Sequence, residues 1–262
     1  MGLFSRDDKF KDPFEKNMVK VCAGMLAGGF VYGDWVLEHP GGDKRKKEVY
    51  CKHLRHRDLV VNKEFMICKY LVTQKQWKMV MGEGFNPVRS EEYLGDDKPV
   101  TGFDRKQLDE FLAKLNKLTG KKYRIPTEDE WMWAAYGASK DKDRSEYAGC
   151  KSADDLPKYA WFNKNSDYKL HPVGKKKSNE LGLYDMCGNM DDLCVCTQKR
   201  YLYYGWYRND VPVYGWVEDG DLVNRGGHYS SNSKECSIYS DTVQIDIKYN
   251  AKWSGFRLAL DV

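Results

Sequence analysis

The chain has 262 residues, of which 41% are hydrophobic, 31% charged and 14% aromatic, and its 43 basic and 39 acidic side chains leave a formal charge of +4. This composition excludes a disordered chain, because the apolar content and the length suffice for a buried core. No apolar run approaches the roughly 20 residues of a membrane-spanning helix. The balance of charge argues against a nucleic-acid partner, since such domains concentrate basic residues on one face.

Residues 1–16 are charged and aperiodic and read as a tail ahead of a single domain over 17–262. The start lacks the apolar stretch of a secretory signal, and Arg6 stands where a myristoylation motif has Ser or Thr. The expected location is the cytoplasm, or the cell surface or exterior if a leader has been removed. "MVKVCAGMLAGGFVYGDWVLE" (18–38) reads as glycine-punctuated strands. Residues 38–58, with "DKRKKE" and "KHLRHR", read as a basic loop, and "GKKKSN" (174–179) as another solvated run. In "FMICKYLVTQKQWKMVMG" (65–82) a strand ends before Thr73, whose hydroxyl caps a short helix that turns Trp77 and Val80 or Met81 inward and stops at Gly82.

Two main helices follow. "DRKQLDEFLAKLNKL" (104–118) aligns Leu108, Phe111, Leu112, Leu115 and Leu118 on one stripe, with Asp104 and Gln107 as a capping pair and Gly120 as the stop. In "RIPTEDEWMWAAYG", Thr127 and Glu130 form a second capping box, and Trp131, Ala134 and Ala135 face the core. After Gly137 the helical period ends, and short strands and loops lead to "SGFRLALDV", an alternating strand that returns to the N-terminal strands. The fold class is α+β, without the alternation of a doubly wound sheet.

The eight cysteines have no regular spacing, which favours free thiols over a disulfide framework. Cys194 and Cys196 would share one side of a strand and could hold a soft metal, and Cys51, His53 and His56 could begin a zinc site that no second half completes. Arg225 and Arg257, beside glycines in strand contexts, read as members of buried ion pairs.

"FMICKYLVTQKQW", "KPVTGFD", "YRIPTEDEWMWAA", "HPVG", "NELGLYDMCGNMDD", "NRGG" and "SGFRLAL" occur in this order, and together they resemble the formylglycine-generating-enzyme (sulfatase-modifying factor) domain family over residues 17–262. The resemblance implies the C-type-lectin-like variant of the α+β class, with much irregular structure around small sheets. In active members a pair of cysteines after the paired glycine binds copper(I) and activates oxygen. Counted from Gly226 and Gly227, those positions are Ser231 and Cys236 here. A hydroxyl cannot replace a soft thiolate, so copper is not expected and the chain is read as a non-enzyme. The resemblance also implies a structural calcium site in "DMCGNMDD", with ligands Asp185, Gly188, Met190 and Asp192. Asp191 and Leu193 replace the family's flanking aromatics and Asp192 is shorter than the usual Glu, so the acids could instead cap a turn.

Three functions compete. The first is a non-catalytic module that binds a protein or other ligand through residues 228–254. Its candidate ligand-binding residues are Tyr229, Ser231, Asn232, Tyr239, Asp241, Tyr249, Asn250 and Trp253. At least two of the four aromatics are expected to be exposed on one face. The variable proteins of diversity-generating retroelements, a subclass with this scaffold, are similar in using the segment between "RGG" and "GFRLAL" for display. The second function is an oxidase with an altered site, whether of the sulfatase-modifying type or another; the five histidines lack the cluster that a related iron-dependent sulfoxide synthase needs. The third is a structural domain of a larger assembly.

Overall fold

A computed structural model describes residues 10–38, 48–140, 145–208, 211–240 and 253–262. Among the described residues there are three α-helices and four small sheets, of three, two, three and two strands. In the first sheet β1 (Met18–Val21) and β10 (Ala259–Asp261) both pair antiparallel with β4 (Phe65–Cys68), so the C-terminal strand returns to the N-terminal ones as its alternation predicts. Ile67, opposite both Val19 and Ala259, is fully buried.

The helices begin where the sequence places caps. The side chain of Thr73 accepts from the Gln76 amide ahead of α1 (Gln74–Met81), Asp104 does the same for Gln107 ahead of α2 (Arg105–Thr119), and Thr127 for Glu130 ahead of α3 (Glu128–Ala135). Each third residue reaches back to the cap amide, so two otherwise orphaned donors are satisfied at every start. The short helix after Thr73 and the two that follow it are thus all present, α1 and α3 each being eight residues long. On α2, Leu108, Phe111 and Leu115 are buried, whereas Leu118, at the last turn, is exposed.

α3 is buried on nearly every side, with Trp131, Met132 and Trp133 all inaccessible. Trp133 donates its indole N–H to the Cys22 carbonyl, and it lies so close to Gly24 that a Cβ there would meet the ring at 2.3 Å. A second core stacks Trp77 on Phe111 at 4.9 Å, with the edge of Phe256 against both Phe103 and Phe111.

Two readings are corrected. Residues 48–58 are not loop: β3 (Glu48–Val61) pairs antiparallel with β2 (Gly24–Glu38) from Gly24 opposite Val61 to Glu38 opposite Glu48. The basic residues interrupt the apolar pattern without breaking the strand, because a two-stranded ladder needs only its backbone partners. Residues 10–16 are also more than tail. Phe14 is 1% exposed and packs edge-on against Phe111 and Tyr123, while Asp12 accepts from the Tyr123 hydroxyl at 2.7 Å and from Lys121 at 3.0 Å. Phe14→Ala is therefore expected to cost about 3–5 kcal/mol of stability, read as a fall in the urea midpoint. An unchanged midpoint would return residues 10–16 to the tail.

Candidate functional site

The site is built on β5 (Asp191–Val195), which pairs antiparallel with β8 (Leu222–Arg225) and parallel with β9 (Ser254–Gly255). Asp192 lies opposite Arg225 on one side and Gly255 on the other. Both buried arginines are ion-paired, as their strand contexts suggest. Arg257 donates from Nε to Asp192 Oδ2 at 2.8 Å, and Arg225 donates from Nε to Glu128 Oε1 at 2.7 Å, all four side chains being nearly or wholly inaccessible.

After Arg225 the chain turns through Gly226 (φ 92°) and Gly227 (φ 74°). Only glycine suits these positions, since a Cβ at 226 would lie 2.7 Å from the Met186 carbonyl oxygen and one at 227 would lie 2.9 Å from that of Glu235. The turn that follows is tight. The Ser231 hydroxyl accepts from the His228 amide at 3.1 Å, the Ser231 amide donates to the His228 carbonyl at 2.9 Å, and the Ser231 carbonyl accepts from the Asn163 amide at 3.0 Å. Asn232 and Glu235 cap each other's amides, and Cys236 follows, fully buried, with burial pushing its thiol well above the usual range. The Ser231 hydroxyl is thus bonded within its own turn, and the Cys236 sulfur is closed off from solvent. Cys194 and Cys196 are likewise buried, while the side chains of Cys51, His53 and His56 lie outside the described ones.

The candidate ligand-binding residues divide. Tyr229 is not on a display face: it is 3% exposed, its hydroxyl donates to that of Tyr93 at 2.9 Å, and it packs with Leu71, Leu170 and Met190. Its expected exposure is corrected, because a phenol with a partner for its hydroxyl is more stable inside. Tyr239 is half-buried against Tyr136, and Trp253 is half-buried, stacked on His228 with ring centroids 4.6 Å apart. Ser231 is buried and Asn232 exposed. Asp241, Tyr249 and Asn250 lie outside the described residues.

The acidic loop has three buried carboxylates, Asp185, Asp191 and Asp192, of which the first and last are the expected ligands. Asp185, at φ 53°, accepts from the Gly174 amide at 2.7 Å and from the Asn189 side chain at 3.4 Å, and burial raises its pKa to about 6. Asp192 gives Oδ2 to Arg257 and to the Trp131 indole, while its Oδ1 is buried without a hydrogen bond. Gly188, at φ 72°, approaches Trp161 so closely that a Cβ would sit 2.2 Å from its carbonyl oxygen, and Met190 is 1% exposed. The Gly188 carbonyl accepts from the Met190 amide at 2.8 Å, and carboxylate and carbonyl oxygens are the donors that a hard cation prefers.

His228 carries a pH prediction. Burial lowers its pKa from 6.5 to about 4, and its Nδ1 accepts from the Ser230 amide, which requires the neutral ring. Between pH 4 and 6.5 the unfolded chain therefore binds a proton that the folded chain refuses. The stability due to this group is complete above 6.5 and is lost as pH falls toward about 4, by up to about 3 kcal/mol. Carboxylates titrate in the same window, so the measurement is a difference: urea midpoints of wild type and His228→Gln at pH 7 and 4.5. The variant is expected to lose less stability on acidification, and parallel losses would contradict a buried neutral ring.

The family model of the sulfatase-modifying factor enzyme 1-like domain matches residues 10–262. The chaperone protein LppX of Paenibacillus barcinonensis is 30% identical over 253 residues, covering 79% of this chain and 82% of the relative. Among solved structures, the Treponema denticola variable protein 1 is similar with a TM-score of 0.62 at 22% identity, covering 94% of this chain and 95% of its own. CarF has a TM-score of 0.62 at 21% identity over 96% and 100% of the two chains, and PvdO from Pseudomonas aeruginosa 0.57 at 21% over 94% of each. These structures share the fold, and with the match of the family model over nearly the whole length, the chain belongs to the sulfatase-modifying factor enzyme 1-like domain family.

Proposed function

We propose that the protein is a non-catalytic binding module on this scaffold, recognising a protein through the segment 228–254. The observation that carries the reading is the turn at 228–236, where Ser231 stands at the first position of the copper pair that the family resemblance implies, and Cys236, at the second, is sealed in the core. A relative named a chaperone supports a protein as the ligand, and a neighbour named a variable protein supports the use of this segment for display. Asn232 is the exposed member of the described candidates, and Asp241, Tyr249 and Asn250 belong to the proposed segment by sequence alone. Both ends of the segment are anchored, by Arg225 to Glu128 and by the Trp253 carbonyl to the Asp191 amide, so an exposed side chain between them such as Asn232 can change without loss of the fold.

The protein loaded with copper(I) is expected to leave a cysteine-containing peptide unchanged by mass spectrometry, and Ser231→Cys to leave it unchanged too. Formylglycine above a no-enzyme control would favour the oxidase instead. In parallel, a Gly/Ser replacement of 241–252 of equal length is expected to fold with an unaltered melting temperature and to lose a partner crosslinked through position 232.

A structural Ca²⁺ at Asp185, Gly188, Met190 and Asp192 belongs to the same proposal. It rests on the buried, unbonded Asp192 Oδ1 and on two acids whose pKa values burial raises. At one hundred times its dissociation constant calcium would stabilise the fold by about 2.7 kcal/mol. The melting temperature is expected to rise in calcium over chelator, and less so in Asp185→Asn; equal values in calcium and chelator would make the loop a plain turn.

A further inference from the structure

The loop 161–171 abuts the segment just described, and no motif in the sequence singled it out. The Asn163 amide donates to the Ser231 carbonyl at 3.0 Å, the Ser166 hydroxyl to the Tyr229 carbonyl at 2.5 Å, and the Asn189 amide to the Trp161 carbonyl at 2.7 Å. The loop is therefore tied by hydrogen bonds both to the turn at 228–231 and to the acidic loop. Its own frame is internal. Asn165 accepts from the Phe162 amide and donates to the Ala160 carbonyl, so that the chain reverses within four residues.

Trp161 is clamped on both faces. His171 stacks on it with centroids 3.8 Å apart and planes inclined by 10°, and Lys176 Nζ lies 3.7 Å from the ring centroid while donating to the Pro157 carbonyl at 2.7 Å. A stacked ring at that distance leaves no room for an ammonium on the same side, so the two neighbours take opposite faces. Only the edge of the indole is left, and its N–H is buried without a hydrogen bond. Two residues on, Asn163 Oδ1 is also buried without one. A buried polar atom is normally satisfied, and two such atoms of opposite polarity on one rigid loop call for a complementary group. The loop edge beyond them is strained: Asp167 and Tyr168 adopt φ of 52° and 54°, and Tyr168 is held outward, 63% exposed. Consecutive left-handed residues other than glycine persist where the surroundings over-determine them, and they gather at ligand clamps.

We infer that Trp161 Nε1–H and Asn163 Oδ1 form a recognition site for an amide, the indole donating to its carbonyl oxygen and the asparagine accepting from its N–H. The loop is then a second wall beside residues 228–231, and the ligand is a peptide group of the bound protein. The inference rests on the binding-module reading but places specificity on a loop outside the 228–254 segment. Entry requires a local opening of the loop, since both atoms are closed to solvent in the free protein.

The test uses the full chain labelled with ¹⁵N and the small diamide N-acetylglycine N-methylamide as probe. Its fully N-methylated analogue, which keeps both carbonyls and has no N–H, is the control. The Trp161 indole signal, assigned by its absence in Trp161→Phe, is expected to shift saturably with the diamide. The control is expected to bind at least tenfold more weakly, and Asn163→Leu to remove that preference, because the analogue leaves the asparagine oxygen unpaired. Trp161→Phe is expected to keep the melting temperature of the wild type, the indole N–H making no bond within the fold. A signal that ignores both compounds, or an indole that shows only cross-relaxation with water, overturns the site, and so does a marked loss of stability in Trp161→Phe. None of these results touches the reading of residues 228–254, which is tested on that segment itself.

Discussion

Arg257 has its whole side chain out of water, and each of its nitrogens is matched. Nε meets Asp192, Nη1 donates to the carbonyls of Cys68 and Lys69, and Nη2 donates to that of Tyr184. Those carbonyls lie where β4 ends and where the chain passes into the acidic loop, and the Lys69 carbonyl accepts from the Tyr184 amide as well. A buried carbonyl left unpaired costs about 1–3 kcal/mol, so one guanidinium helps two separate segments to leave regular structure inside the core. The charge is neutralised by a strand that is itself central, with β8 and β9 on its two sides. Breaking such a pair by removal of one partner leaves a buried charge uncompensated, at a cost of about 3–5 kcal/mol. Irregular structure over much of the second half is tolerable because of this pair and the second one, Arg225 with Glu128, which ties β8 to α3 and reaches the Ser240 carbonyl.

That arrangement explains which parts of the fold were legible in the sequence. Helix starts are local events, a hydroxyl or carboxylate and the amide three residues on, and Thr73, Asp104 and Thr127 all cap as their spacing predicts. The returning strand at 259–261 announced itself by alternation, and the two arginines by their place beside glycines. The β2–β3 hairpin was misread because charge was taken as a sign of loop, whereas strand pairing is a property of backbone groups and two separated segments. Phe14 was missed for a related reason: a lone aromatic among charges carries no periodicity, and its burial depends on Phe111 and Tyr123, about a hundred positions away.

The candidate site was legible in its chemistry and less so in its geometry. The count from the paired glycine located Ser231 and Cys236, because tight turns make spacing rigid. Exposure of the aromatics was not readable, since Tyr229 is drawn inward by a hydroxyl on a distant segment, that of Tyr93. Nor could the role of the loop at 161–171 be read, because an unpaired donor or acceptor is defined only once every neighbour is known.

Ser231 and Cys236 also have roles in holding the turn together. A serine hydroxyl is a good acceptor for a backbone amide and a thiol a poor one, so the bond from His228 to Ser231 holds the turn more firmly than cysteine would. Cys236 has a different reason to remain. A Cβ built on Gly227 would lie 3.0 Å from its sulfur, so the thiol fills the space that the glycine opens, and a larger side chain there would press on the backbone of the paired glycine. One cysteine position thus stabilises the turn by becoming polar and the other by staying compact and apolar. Packing and hydrogen bonding are enough to explain why each side chain suits its position.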